Sequence, residues 1–145
     1  MKISTKGRYA LRMLLDLAEH QEEGFIALKD IAKRQELSKK YLEQIVPLLN
    51  RSDILLTNRG FQGGYKLAKQ PSEYTVGDIL RITEGSLAPV ACLDQEPNTC
   101  ERSHTCATLH VWEGLYQVIK EYLDGITLQD ILENQQASYG NDYII

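Results

Sequence analysis

The sequence predicts a mostly α-helical chain: a winged helix-turn-helix with a two-stranded β wing, followed by a long C-terminal dimerisation helix. Three observations carry this. Two short amphipathic segments flank a three-residue turn, and the second opens on a serine. A glycine-rich hairpin follows at once. Beyond residue 106 an apolar stripe runs for several helical turns.

Ala10, Met13, Leu14 and Leu17 recur at helical spacing, which predicts a first helix near residues 7–20. Gly24 ends that pattern, and Leu28, Ile31 and Ala32 mark a second, shorter helix. After the turn Gln35-Glu36-Leu37, Ser38 stands in the N-cap position of a third helix, with Leu42, Ile45, Val46 and Leu49 as its buried stripe. That stripe turns Lys39, Lys40, Glu43 and Gln44 outward near the helix start, where a recognition helix meets base edges in the major groove. Gln44 suits adenine, Lys40 suits guanine, and Glu43 accepts from cytosine while repelling phosphate. A solvated polar helix face explains this helix alone equally well.

The next segment weighs against that plainer explanation. Residues Ile54–Thr57 and Tyr65–Ala68 read as strands joined by Asn58-Arg59-Gly60-Phe61-Gln62-Gly63-Gly64. The glycines permit a tight hairpin and a close approach of backbone to a ligand. Arg59 at the hairpin base suits a phosphate or a narrow minor groove. No Lys-Ser/Thr follows the glycines and no helix opens there, which weighs against a nucleotide-binding P-loop.

Net charge is −4, which argues against nucleic acid until the chain is divided. Residues 1–70 hold 13 Lys/Arg against 8 Asp/Glu, and residues 71–145 hold 3 against 12. The basic half can attract phosphate, and the acidic half repels it.

Pro71 closes the wing, and Thr75 with Asp78 forms a capping box for a helix that Gly85 stops. Residues from Ser86 to about Thr105 lack periodicity, and a run that long is usually functional or disordered. A long helix is expected from about Cys106, with Val111, Trp112, Leu115, Val118, Ile119 and Tyr122 as its stripe. Its eighteen or so residues would span about 27 Å, and a two-fold mate is the commonest cover for such a face. Thr127-Leu128-Gln129-Asp130 starts a last short helix. The expected divisions are a DNA-binding domain over 1–84, a cysteine loop over 85–105, dimerisation and terminal helices over 106–136, and a polar tail over 137–145 whose Tyr143-Ile144-Ile145 end suits docking.

All three cysteines, Cys92, Cys100 and Cys106, lie in one stretch with spacing C-x7-C-x5-C. An odd number is unlikely to form a closed set of disulfides, and clustered thiols in a reducing compartment point to metal or redox chemistry. Thiolates bind soft metals and iron–sulfur clusters. His110 lies one helical turn beyond Cys106, with His104 as a second imidazole. A histidine ligand raises a cluster's potential and makes its occupancy depend on pH. Zinc, a metal-free thiol switch and incidental buried cysteines stand beside the cluster reading; the C-x2-4-C pairs of zinc ribbons are absent. No catalytic triad or paired-carboxylate site is evident, so an enzyme is not expected. The start MKISTKGRYA has no apolar signal core, and no apolar run reaches membrane-spanning length, so the expected compartment is the cytoplasm.

The segments MKISTKGRYA, LSKKYLEQIV, RGFQGGYKL and TVGDILRITEG resemble the bacterial winged-helix regulator family that includes IscR, NsrR and CymR, its IscR-type members in particular. The resemblance runs from Met1 to about Asn134. It implies a homodimer that binds palindromic double-stranded promoter DNA, and cluster ligation by Cys92, Cys100 and Cys106. It further implies DNA contacts by Ser38, Lys39, Lys40, Tyr41, Glu43 and Gln44 on the recognition helix and by Arg59 and Gly60 on the wing. In IscR-type members the glutamate position helps to distinguish promoter classes, which singles out Glu43. The cysteine spacing departs from the family pattern, Leu109 occupies the family's histidine position, and Arg8 stands where NsrR-type members carry an acid. The fourth ligand is assigned to His110, ahead of His104, Asp94 and Glu96, and [2Fe–2S] is favoured over [4Fe–4S]. The rival expectations are a metal-free regulator acting through thiols or a partner protein, and an electron carrier.

Overall fold

In the computed structural model, which describes residues 2–142, helices α1 (Thr5–Glu19), α2 (Leu28–Gln35) and α3 (Lys39–Arg51) precede a two-stranded sheet. Strands β1 (Leu55–Asn58) and β2 (Gly64–Leu67) pair antiparallel, with Leu55 opposite Leu67 and Asn58 opposite Gly64. Helices α4 (Val76–Glu84), α5 (Leu109–Asp124) and α6 (Leu128–Asp142) complete the chain.

Each boundary has a local cause. The Ser4 side chain accepts from the Gly7 amide and starts α1 two residues earlier than the apolar pattern suggests. The Thr75–Asp78 capping box starts α4, and Gly85 ends it at a φ of 84°. The strands sit about one residue from their expected positions, because Ile54 is drawn into the core while Gly64 enters the ladder.

Helix α1 is the axis of the main core. Met13, Leu14 and Leu17 are fully buried among Ile31, Leu42, Ile45 and Leu49 from α2 and α3. Helix α6 returns to the same core through Leu128 and Leu132, which the linear pattern assigns to a separate C-terminal region. Backbone pairing guides it there: Val76 N–H donates to Ile126, and Leu128 N–H donates to Tyr74. Instead of stopping near Gln136, α6 runs to Asp142, since no glycine or proline interrupts it before Gly140. The expectation for Tyr143-Ile144-Ile145 lies outside the described residues.

Among the described residues, the one buried charged side chain is Asp16, at 1% exposure. Arg34 grips it with two parallel bonds, Nε to Oδ2 at 3.0 Å and Nη2 to Oδ1 at 2.6 Å. Gln35 Nε2 adds a third at 3.1 Å, and Arg12 donates to the Gln35 carbonyl. The carboxylate raises the guanidinium pKa of Arg34, chiefly through these hydrogen bonds. The cluster joins α1 to the last residues of α2, directly before the turn into α3. Asp16→Ala removes the acceptor shared by Arg34 and Gln35 and should lower unfolding free energy by roughly 2–4 kcal/mol in urea titrations. A loss below about 0.5 kcal/mol would mean that other contacts hold the turn.

Candidate nucleic-acid interface and cysteine loop

The turn between α2 and α3 forms because Glu36 adopts the left-handed conformation, with φ 54° and ψ 45°. Ser38 then caps α3, its hydroxyl accepting from the Tyr41 amide at 3.2 Å. With Leu42, Ile45, Val46 and Leu49 buried, Lys39, Lys40, Glu43 and Gln44 are left exposed. Lys39 and Glu43 approach to 3.9 Å across one turn, an exposed pair of little energetic weight. Tyr41 differs from these four. It is half-buried and packs edge-on against Tyr9 of α1, with ring centroids 5.4 Å apart.

The wing stands beside α3. Its turn closes with a 2.9 Å bond from Gly63 N–H to the Gly60 carbonyl, and Gly60 has a φ of 131°. A side chain at Gly63 would overlap the Asn58 and Gly60 carbonyls. One at Gly64 would overlap the Ile26 backbone, where Ile26 and Tyr65 exchange two 2.9 Å hydrogen bonds. That extra pairing braces the wing against the segment leading into α2. Arg59 and Gly60 are exposed.

Between α3 and the wing lies an open groove of about 480 Å³. It gathers Lys39, Glu43, Arg59 and Gly60 from the expected set, whereas Lys40 and Gln44 lie outside its lining. It also holds Lys29, Asn50 and Asn58, which periodicity did not single out. Their signal was weak but present: Lys29 is a first-turn cation of α2, and Asn50 is an exposed polar residue flanking the α3 stripe. Thr57 donates to Asn50 Oδ1 at 3.2 Å and so joins β1 to the end of α3.

The cysteine loop joins α4 to α5. Cys92 is half-buried in a short 3-10 turn (Ala91–Leu93), Cys100 is exposed and Cys106 is half-buried; all three are free thiols. Helix α5 starts at Leu109 rather than near Cys106; Thr108 holds its N-cap position without a side-chain cap bond. Cys106 and His110 therefore do not share a helical turn, and His104 and His110 are both exposed. Asp94 accepts from Ser86 at 2.6 Å, and Glu96 is exposed. The Thr108 hydroxyl, 3.6 Å from Cys106 Sγ, is the main cause of a lowered Cys106 thiol pKa.

Three free thiols on one irregular loop match the donor chemistry of an iron–sulfur cluster. In this conformation they do not surround one point: among the described residues no three His, Cys, Asp or Glu side chains are grouped to hold a metal ion. The loop also leaves one polar group unsatisfied. Asn98 accepts from Cys100 N–H at 2.8 Å, but its buried Nδ2 has no acceptor among the described residues. Such an orphan costs about 1–3 kcal/mol.

Helix α5 presents two apolar faces instead of one wide stripe. Tyr116, Ile119 and Leu123 pack with Val76, Leu80 and Leu87. Arg81 reinforces this side with a 2.6 Å bond to Asp124, holding that carboxyl below its ordinary pKa. Rotated by roughly 100°, Val111, Leu115, Val118 and Tyr122 form a second row. They are 48%, 41%, 62% and 67% exposed.

Comparison with known proteins agrees with this architecture. A family model described as Rrf2, iron-dependent transcriptional regulator, matches residues 3–134. The HTH-type transcriptional regulator CymR of Bacillus subtilis is 40% identical over 143 residues, covering 96% of this chain and 97% of the relative. Its solved structure, titled as that of the global cysteine regulator of B. subtilis, has a TM-score of 0.75 and covers 92% of this chain and 98% of that one. The solved T. potens IscR is also 40% identical, with a TM-score of 0.76 over 95% of this chain and 90% of that one. A recognition helix braced to a glycine wing, matched over nearly the whole chain, makes this protein a member of the Rrf2 family of transcriptional regulators.

Proposed function

We propose that the chain acts in the cytoplasm as a homodimer that reads palindromic double-stranded promoter DNA and senses an iron–sulfur cluster. The observation that carries the DNA reading is the cationic groove between α3 and the wing, in a chain whose net charge is negative. Gln44 and Lys40 read base edges in the major groove, and Glu43 restricts which bases fit. Ser38, Lys39 and Tyr41 position the helix start. Arg59, with Gly60 allowing close backbone approach, holds the adjoining phosphates or minor groove. The second row on α5 supports the dimer: four large apolar side chains stay in water unless a two-fold copy covers them.

Cys92, Cys100 and Cys106 are the proposed cluster ligands, with His110 as the fourth and [2Fe–2S] ahead of [4Fe–4S]. When bound, such a cluster supplies a redox-active, labile centre. To hold it, the three cysteines must close on a common point, and the orphaned Asn98 amide supports a second packing of the same loop. Movement there reaches the DNA-binding head through α4, which packs on α1, α3 and α5. A cluster-free reading, with control through thiols or a partner protein, draws support from the 40% identity to the global cysteine regulator.

Anaerobic purification decides between these readings. Cluster sensing predicts visible absorption, iron and acid-labile sulfide in equal amounts, and loss of both in the Cys100→Ala variant. Colourless wild-type protein, with or without zinc, would leave the cluster-free reading. For DNA, Gln44→Ala should relax discrimination at one base by about 1–3 kcal/mol. Arg59→Ala should weaken binding on all sequences and flatten the salt dependence by about 0.9 per lost phosphate contact. Equal losses from both variants on every sequence would contradict this division of roles. For the dimer, Val118→Glu puts a charged side chain from each copy into the proposed apolar interface. Sedimentation should then give a folded monomer; an unchanged dimer would place the interface elsewhere.

A further inference from the structure

Phe61 stands at the tip of the wing with 96% of its surface exposed. Among the described residues the next most exposed large apolar side chain is Tyr122, at 67%. Phe61 belongs to the wing, not to the α5 row. The backbone around it is held in an unusual shape. Gly60 before it has a φ of 131°, and Gln62 after it has a φ of 61°, a region that side-chain-bearing residues rarely occupy. The turn is closed by Gly63 N–H, and the hairpin base is locked to Ile26. A rigid hairpin thus carries a phenyl ring into solvent on a short mount. Arg59 lies two residues away, and Lys29 and Lys39 line the adjoining groove. Cations beside an isolated aromatic suit a polyanion whose interior is a stack of flat rings. An apolar protein pocket would find no use for the cations.

We propose that Phe61 is a wedge that the wing inserts at a base step of the DNA minor groove, partly unstacking it. Apolar side chains in minor-groove binders act in this way and bend the duplex. Pyrimidine–purine steps unstack most readily, so Phe61 sets a sequence preference beneath the wing without a hydrogen bond to any base. This rests on the DNA-binding reading above.

The test uses duplexes enriched from a random-sequence pool by the wild-type protein, with each adenine replaced in turn by 2-aminopurine. Wild type should raise fluorescence at one position by about twofold or more, as an unstacked base requires. Phe61→Ala should abolish that rise, weaken binding by about tenfold and lose the step preference. Phe61→Leu, which keeps an apolar wedge, should retain much of the rise. The thermal midpoint of both variants should match wild type, since the ring supports nothing in its own chain. Specific binding with no fluorescence rise at any position overturns the wedge and leaves the DNA reading standing. So does Phe61→Ala with unchanged affinity, or with an altered oligomeric state, which would seat the ring on a second copy. A pool that yields no enriched sequence removes the DNA reading and the wedge with it.

Discussion

Asp16 places a carboxylate where water cannot reach it, and the surrounding structure must answer that charge. A buried unpaired carboxylate costs several kcal/mol, so the fold tolerates Asp16 only with its partners in place. Those partners are Arg34 and Gln35, the last residues of α2 before the turn. Packing of α1 against α2 by hydrophobic contact alone would allow sliding and small rotations. A forked guanidinium–carboxylate pair does not, because both bonds must align together. The direction in which α3 leaves the turn is therefore referred back to α1, and the groove beside the wing inherits that direction.

The second constraint is the wing's close approach to the entry of α2. Gly64 leaves no room for a side chain against Ile26, so the hairpin cannot swing freely. Two separate devices, one polar and buried, one backbone-to-backbone, hold the two parts of the nucleic-acid interface at a set spacing. This accounts for a cationic groove on a protein of net acidic charge: the cations are few, but their mounts are stiff. Most of the acidic excess lies in residues 71–145, outside the helix-turn-helix and wing.

The cysteine loop is built on the opposite principle. It is largely irregular, its thiols are free, and it leaves an amide donor unsatisfied. It connects α4, which packs into the DNA-binding head, to α5, whose outer row is uncovered. The loop thus joins two ordered helices through a segment with little regular structure of its own.

The helix-turn-helix, its cap, the glycine wing and the division of charge were legible in the sequence because each depends on neighbouring residues: apolar spacing, a serine before a helix, glycines where side chains do not fit. The outward set on α3 followed from its buried stripe for the same reason. Other features needed the folded chain. The sequence presents one broad stripe on α5, and only packing against α4 splits it into a covered face and an open row. Periodicity cannot place Leu128 and Leu132 in the same core as Met13, nor draw Lys29, Asn50 and Asn58 to one groove, because those contacts join distant segments. Cys106 and His110 sit one helical turn apart in number. The folded chain starts α5 at Leu109, so Cys106 stays in the preceding loop while His110 lies on the helix, because where a helix begins after an irregular loop depends on what that loop packs against.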